Sequence, residues 1–413
     1  LESGSIAREL ATTIYAAGTS EHSARLMFDG RSSSLPGAAY AAATQIDNLD
    51  GHDGYNPTKG HIGVVAVPTL FALAEQKPEL SGRDALAALV VGYEIAGRAA
   101  IALHTTVSDY HTSGAWNALG VAAMASRLRC FTKEQLRQAL GIAEYHGPRS
   151  QMMREINNPT MLHDGSGWGA LVGLSAAISA EIGFTGAPAV TVEAAEVEQH
   201  WADLGEFWQV EHQYIKPYPI CRWAHPAIDA TRALTLEHGF TPQDIMKIEV
   251  NCFDEAAELF AAMPNDTSKA QYSLPFSVAT MAVYGEIKTE HVTGPGLSDP
   301  VVASLVARTK VEASERHSSR FPQNRWSDVR ITLRDGTKLE SGDVHARGGP
   351  EHPFTEVQIK EKFMQFATPA LGNDRASALL ERVMHLSNEN SVLSSVDSVL
   401  YEMPSSPVHR RSA

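Results

Sequence analysis

The chain has 413 residues, with 34 lysines and arginines against 48 aspartates and glutamates, so its formal net charge is −14. Hydrophobic residues make up 43% and charged residues 20%, which excludes a disordered or fibrous protein. An acidic chain without a basic block is a poor nucleic-acid binder, because phosphate contacts need a basic surface. Three cysteines, none in a CxxC pair, exclude a disulfide framework and structural zinc.

The apolar stretches do not predict a membrane protein. The two most apolar ones, residues 85–103 and 167–183, are short for a bilayer span, and the first contains Glu94 and Arg98. We therefore expect buried helices and no membrane partner. The N-terminal segment has no basic flank before a long apolar core, so it does not predict a secretory signal. A cytoplasmic location is the simplest expectation.

The first half of the chain is predicted to be helical. Ser81 to Asp84 forms an N-cap pattern, and a wide apolar stripe directly follows it. A second helix is predicted from Gly114 to Leu128. Thr132 and Gln135 form a capping box that starts a third helix, residues 134–145. A fourth helix, residues 169–182, is rich in small side chains that let neighbouring helices approach closely.

Strand patterns appear after about residue 212. Alternating apolar residues predict strands at 247–253 and 328–333, and Asp335-Gly336 predicts a hairpin turn. Helices are predicted among the strands, at residues 227–238, 273–284 and 301–313. Helical periodicity returns from Glu361.

These patterns predict a mainly α protein with two domains. The larger is an all-helical, discontinuous domain of residues 1–212 and 364–413. The smaller is an α+β lid of residues 213–363. Clefts at domain junctions are common small-molecule sites, so polar segments near the junction are the first candidates for chemistry.

The first polar segment is rich in acids and histidines between glycines. Asp47, Asp50, His52, Asp53 and His61 lie within 15 residues of one another. One interpretation is a solvated loop of turn-forming residues. Another is a metal site, because His52, Asp53 and His61 are competent ligands, although their spacing matches no helix-borne HExxH pattern.

Two connections in the helical half carry groups suited to proton transfer. His111 lies in a polar connection between two helices and could donate a proton, because its ordinary pKa is near neutrality; helix capping is the alternative. Tyr145 and Arg149 flank a Gly-Pro break. Arginine can clamp a carboxylate, and a tyrosine beside it can act as acid or base. The alternative is that Arg149 pairs with Glu144 or Glu155.

The last polar segment, residues 214–226, has three prolines that forbid regular structure. It lies where helical patterns give way to mixed ones. Lys216, among Tyr, Ile and Pro, is a candidate for a desolvated amine, and an exposed linker lysine is the alternative. Arg222 and His225 follow it, and Cys221 is expected to be a buried thiol.

Several common motifs are absent from the sequence. It has no GxGxxG after a strand, no GxxxxGK[ST] and no GxSxG elbow, so dinucleotide, P-loop and hydrolase-elbow interpretations lack their residues. The remaining set of His, Tyr, Lys and Arg with acidic partners suits a small anionic substrate and proton transfer. It predicts neither an organic cofactor nor a metal.

The same segments resemble the MmgE/PrpD family. The resemblance spans roughly Ile46 to Glu286, with weaker similarity to about Leu393. The stretches that carry it are IDNLDGHDG, GYEIAGRAAIAL, DYHTSGAWNALGVAAMASRL, LHDGSGWGALVGLSAAISAEIGFTGAP, KPYPICRWAHPAIDA and QYSLPFSVA. The family includes 2-methylcitrate dehydratase, cis-aconitate decarboxylase and iminodisuccinate epimerase. It implies a large helical domain with a smaller α+β lid, usually a homodimer, and chemistry in the cleft between them.

The resemblance also implies roles for residues. By position, the acidic loop of the family falls on Asp50 and Asp53, followed by His61. The central histidine falls on His111, and the junction lysine falls on Lys216. The turn that carries a Lys-x-Leu-His-like motif falls on residues 160–163.

Two departures from the family separate this chain from many dehydratases and decarboxylases. Thr160 stands where many of them have a lysine, and Phe276 stands where the decarboxylases have a tyrosine. With Tyr145 and Arg149 expected opposite Lys216, these departures favour epimerisation, which needs a proton donor on each face of the carbon.

The main prediction is a cofactor-independent epimerase that removes a proton beside a carboxylate of a small polycarboxylate, such as iminodisuccinate. Its predicted catalytic residues are Lys216, Tyr145, His111 and Asp50. Its predicted substrate-binding residues are Arg149, His52, His61, His163 and Arg222. The alternatives are a dehydratase or decarboxylase of a tricarboxylate, a metal-dependent hydrolase using His52, Asp53, His61 and His163, and a non-catalytic ligand-binding protein.

Overall fold

The computed structural model of the chain describes residues 2–388 and 390–403. The first half is helical, as predicted. Its helices are α1 (Glu2–Thr13), α2 (Leu35–Leu49), α3 (Gly63–Ala74), α4 (Gly82–Thr106), α5 (Gly114–Leu128), α6 (Lys133–His146), α7 (Met152–Asn157), α8 (Ser166–Glu181) and α9 (Val190–Glu193). Its strands are β1 (Ser23–Arg25), β2 (Ser32–Ser34) and β3 (Asp53–Gly54).

The second half mixes strands and helices and then returns to helix. The strands are β4 (Tyr214–Ile215), β5 (Ile245–Cys252), β6 (Thr309–Ala313), β7 (Trp326–Leu333), β8 (Lys338–Glu340) and β9 (Val344–His345). The helices are α10 (His225–His238), α11 (Asp254–Ala257), α12 (Thr267–Gln271), α13 (Leu274–Tyr284), α14 (Pro300–Val306), α15 (Glu315–Ser318), α16 (Glu356–Leu371), α17 (Asn373–Met384) and α18 (Asp397–Leu400). The protein is therefore mainly α with a smaller α+β region.

The predicted helix ends follow from their caps. The hydroxyl of Ser81 accepts a hydrogen bond from the backbone N–H of Asp84 at 3.1 Å, which starts α4. At the start of α6, Thr132 and Gln135 form the predicted capping box: the Thr132 hydroxyl accepts from the Gln135 N–H at 3.2 Å, and the Gln135 side chain accepts from the Thr132 N–H at 3.0 Å.

The main sheet has the order β6-β5-β7-β8, and β9 also pairs with β7. Strand β5 runs parallel to β6 and antiparallel to β7. The predicted helix over residues 301–313 is wrong in its second part, because α14 ends at Val306 and β6 follows. Thr309 and Val311 are β-branched, and pairing with the edge of β5 is worth more than continuing an exposed helix.

The apolar clusters match a two-part organisation. One cluster joins Ala38, Leu70 and other residues of the helical half with Leu379 and Val396 near the C-terminus. A second cluster gathers the α+β region around residues such as Ile248. The exact predicted boundaries, 1–212 with 364–413 and 213–363, stay a prediction.

Helix α4 has the length and mean hydropathy, 1.6, of a membrane-crossing helix, but 56% of its apolar window is buried inside the protein. It packs against α5, and its Arg98 is fully buried and paired with Asp203. This helix is therefore part of the packed helical half.

Candidate active site

The end of α2 places two acids side by side. Asp47 and Asp50 are one turn apart, and both are 2% exposed. Asp50 caps the helix in the left-handed conformation, with φ 56°, and its N–H donates to the Asp47 carbonyl at 3.0 Å. Because the chain turns at this residue, both carboxyl groups lie in the interior beside the loop that follows.

A two-residue ladder brings the junction segment to this loop. In the pairing of β3 with β4, Asp53 lies opposite Ile215 and Gly54 lies opposite Tyr214. The next residue, Lys216, is 1% exposed and forms an ion pair through Nζ with Asp50. The structure therefore places Lys216 in the interior at the boundary between the two regions, rather than on an exposed linker.

Two histidines of the acidic loop share one backbone acceptor. His52 and His61 each donate from Nδ1 to the carbonyl of Asp53, at 3.0 and 2.6 Å, and their ring centroids are 4.2 Å apart. This bonding leaves each Nε2 as the free acceptor. Nε2 of His52 lies 3.5 Å from Asp47, and Nε2 of His61 lies 3.3 Å from Asp164.

The turn before α8 completes the group. His163 has a left-handed backbone, with φ 46°, and both of its ring nitrogens are buried without a hydrogen-bond partner among the described residues. Its ring centroid is 5.3 Å from that of Tyr272. Glu155 anchors the turn by accepting from the N–H of Thr160 at 2.7 Å. Such a strained position with unused polar atoms is typical of a binding site.

Burial shifts the protonation of these groups towards neutral forms. It raises the pKa of Asp164 to about 8 and, although a bond from Ser166 opposes it, that of Asp47 to about 7. It raises the pKa of Asp50 to about 6, with Lys216 holding it lower. Burial and the charge of Lys216 lower the pKa of His163 to about 3. Near neutral pH the group therefore contains protonated carboxyls beside neutral imidazoles.

The pKa values of His52 and His61 are also lowered, well below the ordinary value, mainly by burial. A neutral imidazole whose Nδ1–H is fixed can accept a proton at Nε2 or bind a polar substrate group there. A protonated Asp164 is the matching donor to His61. The cluster therefore has an acid and an acceptor in contact before any ligand enters.

Lys362 also lies beside this cluster of acids and histidines, although the sequence did not predict it. It comes from α16, and its Nζ donates to the Gly51 carbonyl at 2.5 Å. Burial lowers its pKa to about 8, although Asp53 raises it. Asp53 itself bonds to the Tyr93 hydroxyl. No local pattern marks Lys362, because it lies more than 300 residues along the chain from the loop that it contacts. Asp164 and Tyr272 were likewise not assigned a role, although each lies within a segment that the sequence singles out.

The α+β region contributes a buried arginine beside this group. Arg222 is 3% exposed, and its guanidinium lies 4.2 Å from the ring centroid of Tyr214. It donates to the carbonyls of Arg347 and Ala346 at 2.7 and 3.0 Å. The rings of Tyr214 and His61 are 6.2 Å apart, so Tyr214 is a neighbour of both Arg222 and the histidine pair.

Part of the predicted arrangement is corrected by the structure. Tyr145 is 78% exposed near the end of α6, and Arg149 is also exposed. His111 is half-buried and pairs through its backbone with Gln151, and its N–H donates to His104 rather than to any group around Lys216. The Gly-Pro break that drew attention to Tyr145 and Arg149 turns both outward, so their predicted roles opposite Lys216 have no geometric support within one chain.

Among the described residues, the acidic loop does not bring three His, Asp or Glu ligand atoms within 4.8 Å of one another, as the alternative metal interpretation needs. The Nδ1 atoms of His52 and His61 donate to a backbone carbonyl, which leaves each Nε2 free, and the Asp53 carboxylate accepts from Tyr93 and from the N–H of Gly63 at 3.2 Å. Within the described parts of the chain, a three-ligand His/Asp group occurs elsewhere, at His317, Asp328 and Asp343. Arg316 already pairs with both of those aspartates.

Comparison with known proteins gives the same picture along the chain. The model of the MmgE/PrpD N-terminal domain matches residues 4–202, and that of the MmgE/PrpD C-terminal domain matches residues 218–386. Human cis-aconitate decarboxylase is 25% identical over 391 residues, covering 90% of this chain and 80% of that protein. The mouse protein of that name is 24% identical over 372 residues, covering 84% and 75%.

A cis-aconitate decarboxylase-like protein of Aspergillus oryzae is 25% identical over 400 residues, covering 86% of this chain and 79% of that protein. Lys216 lies in the short segment between the two matched ranges, where the structure brings the helical half and the α+β region together. Because these models together cover most of its length, the chain belongs to the MmgE/PrpD family.

Proposed function

We propose that this protein is a lyase that forms a carbanion next to a carboxylate of a small tricarboxylate, with cis-aconitate as the first substrate to test. The observation that carries the proposal is the buried Lys216–Asp50 ion pair, surrounded by neutral histidines and protonatable carboxyls. The relatives named cis-aconitate decarboxylase favour this alternative over the epimerase that the sequence departures favoured.

The chemistry requires a place for negative charge. When the C–CO2 bond breaks, CO2 leaves and the bonding electron pair spreads through the allylic system into a neighbouring carboxylate. One proton is then added to carbon at the far end of the allylic system. The ammonium of Lys216 would stabilise the resulting dianion in a site of low dielectric constant. A protonated Asp164 or Asp47 would supply the proton, because burial keeps a proton on each at neutral pH.

Neutral acids also explain how an acidic protein accepts an anionic ligand here. Asp47, Asp50 and Asp164 would repel a tricarboxylate if all three were ionised. With their pKa values raised by burial, only part of that charge is present near neutral pH. Lys216 and Lys362 then supply a basic field at the same place.

Epimerisation remains a second candidate because of two residues. Thr160 is neutral, and its hydroxyl donates to Glu155 at 3.1 Å, so it offers no ammonium to a substrate. It lies at the rim of an open cavity of about 630 Å³, which also borders Asn48 of α2. Phe276 is fully buried in α13 and has no hydroxyl. A site without these two groups has fewer proton donors for a leaving hydroxyl, which disfavours dehydration and favours simple proton exchange.

One experiment separates these reactions. The protein is incubated in D2O with cis-aconitate, with a 2-hydroxy tricarboxylate of the methylcitrate type and with a substituted succinate, and products are followed by NMR. Release of CO2 with a new unsaturated dicarboxylate supports decarboxylation, and loss of water from the hydroxy acid supports dehydration. Deuterium at the α-carbon without any new product supports epimerisation. If none of the three substrates reacts or exchanges, the proposed lyase function is wrong.

We also propose that the protein is a cytoplasmic homodimer. Apolar side chains flank the turn of His163 on the outside of the chain: Met161 is 43%, Leu162 is 73% and Trp168 is 47% exposed. Exposed apolar side chains so close together favour contact with another protein surface. Sedimentation analysis is expected to give twice the chain mass of 44.6 kDa. Leu162→Glu is expected to shift the protein towards monomer, and a wild-type monomer would contradict the proposal.

A further inference from the structure

Arg325 is a buried cation that has no acidic partner. It is 1% exposed and lies directly before β7, with its guanidinium 4.9 Å from the ring centroid of Phe321. Its side chain donates to the Pro322 carbonyl and, at 3.4 Å, to the Asn56 carbonyl, while its Nε has no partner. Among residues 2–388 and 390–403, no carboxylate lies within 4.0 Å of it.

Such a group needs an explanation, because burying an unpaired charge costs several kcal/mol. Arg98 shows the usual solution in the same chain: it is fully buried, ion-paired to Asp203, and 3.5 Å from Glu94. The side chains around Arg325 include instead Tyr214, Tyr110 and another arginine. The more distant Glu255 is half-buried and is shared with Lys59.

The second arginine is Arg222, and the backbone of Ala346 contacts both residues. The N–H of Ala346 donates to the Arg325 carbonyl at 3.2 Å, and the Ala346 carbonyl accepts from Arg222 at 3.0 Å. Arg222 also has a buried Nε without a partner and no ion pair with a described carboxylate. Arg222 and Arg325 are therefore neighbours through Ala346, and two like charges do not neutralise each other.

This pair borders the catalytic cluster from the lid. Tyr214 is the residue of β4 two positions before Lys216, and its ring faces His61 at 6.2 Å. Through Asn56, Arg325 also contacts the loop that carries the histidines. Two unneutralised guanidiniums beside a site for an anion are suited to hold a carboxylate with two parallel N–H bonds.

We infer that Arg325, together with Arg222, binds the substrate carboxylate that does not react, and so selects tricarboxylates over dicarboxylates. The inference rests on the proposed function for the identity of the substrate class. The Lys216 cluster would hold the reacting end of the molecule. The arginine pair would hold the far carboxylate, whose negative charge supplies the counterion that Arg325 lacks.

Binding of two unreactive probes tests this inference by calorimetry. Propane-1,2,3-tricarboxylate has the additional carboxylate, and succinate lacks it. Arg325→Met is expected to weaken the binding of the tricarboxylate about 30- to 100-fold and the binding of succinate less than about threefold. The reason is that only the tricarboxylate uses both N–H groups of the guanidinium. Arg325→Lys is expected to give an intermediate loss, since it keeps the charge without the fork.

Arg320→Met is the matched control, because Arg320 is a half-exposed lid arginine that already pairs with Asp343. It is expected to leave both affinities unchanged. The inference is overturned if Arg325→Lys weakens the binding of both probes equally, or if Arg325→Met does not weaken the binding of the tricarboxylate. The first of these results would mean that Arg325 only stabilises the contact between the domains. If Arg325→Met selectively weakens tricarboxylate binding but the protein turns over no polycarboxylate, the inference stands and the proposed lyase function is wrong.

Discussion

Replacing Lys216 by methionine is expected to lower turnover about 100- to 1000-fold while the protein stays folded. The ammonium is the positive group in contact with Asp50, and its loss removes the charge that would stabilise a carbanion beside a carboxylate. Methionine fills a similar volume without charge. Because burial already raises the pKa of Asp50 to about 6, the freed carboxyl can take a proton rather than remain as an unpaired anion.

The measurement is kcat with the substrate that reacts, together with circular dichroism and the thermal midpoint. Asp50→Asn is the informative partner variant. It leaves Lys216 buried without its counterion, so it is expected to destabilise the protein more than Lys216→Met does. The double variant is expected to be more stable than Asp50→Asn alone, which reports the coupling directly. A Lys216→Met protein with normal kcat would remove this lysine from the mechanism.

The local patterns in the sequence were sufficient for most of the fold. Capping residues and apolar periodicity depend on neighbours within one or two turns, so α5 was predicted at its observed ends and α6 to within a residue or two. The end of α14 was missed because β6 forms only when its partner β5 is present. That pairing joins residues about 60 positions apart, and no local preference contains it.

The site residues were likewise predicted only where a local segment marks them. The segments that hold Asp50, His61 and Lys216 were recognised because each concentrates polar residues among glycines and prolines. The roles of Tyr145 and Arg149 were inferred from a chain break alone, and a break does not determine which way the side chains point. Asp164, Lys362 and Arg325 were not assigned roles, since their contacts come from distant elements. A single segment does not show which charged side chains will lack an ion-pair partner after the domains pack together.

The contribution of Asp164 to the free energy of unfolding is expected to fall as the pH rises from 6.5 to 8, and Asp164→Asn is expected to remove that fall. Burial raises the pKa of Asp164 from the ordinary 3.8 to about 8, so the folded state keeps a proton that the unfolded state has lost. The resulting stability is fully present below about pH 4 and is lost as the pH rises through about 8. Asp47 and Glu155, each with a pKa raised to about 7 by burial, act in the same direction.

The pH window follows from the groups that oppose this effect. The buried histidines His52, His61 and His163 have lowered pKa values, so their contribution increases as the pH rises through the ordinary histidine value of 6.5 and levels off about one pH unit above it. Lys362, with its pKa lowered to about 8, adds stability as the pH rises above that value. Because these opposing groups are the same in both proteins, the difference between wild type and Asp164→Asn isolates the contribution of Asp164 between pH 6.5 and 8.

Scanning calorimetry at several pH values in this window, in buffers with small heats of ionisation, measures the effect. Across this window, the free energy of unfolding of the wild-type protein is expected to fall by about 1–2 kcal/mol because of Asp164 alone. This corresponds to about one proton released on unfolding. Asp164→Asn keeps the shape and the hydrogen bonds of the protonated acid but cannot ionise, so its stability should depend less on pH. Asp254→Asn, at an exposed position, is the control and should follow the wild type. If Asp164→Asn keeps the full wild-type dependence, Asp164 is ionised in the folded protein, and it cannot be the acid that returns a proton to carbon.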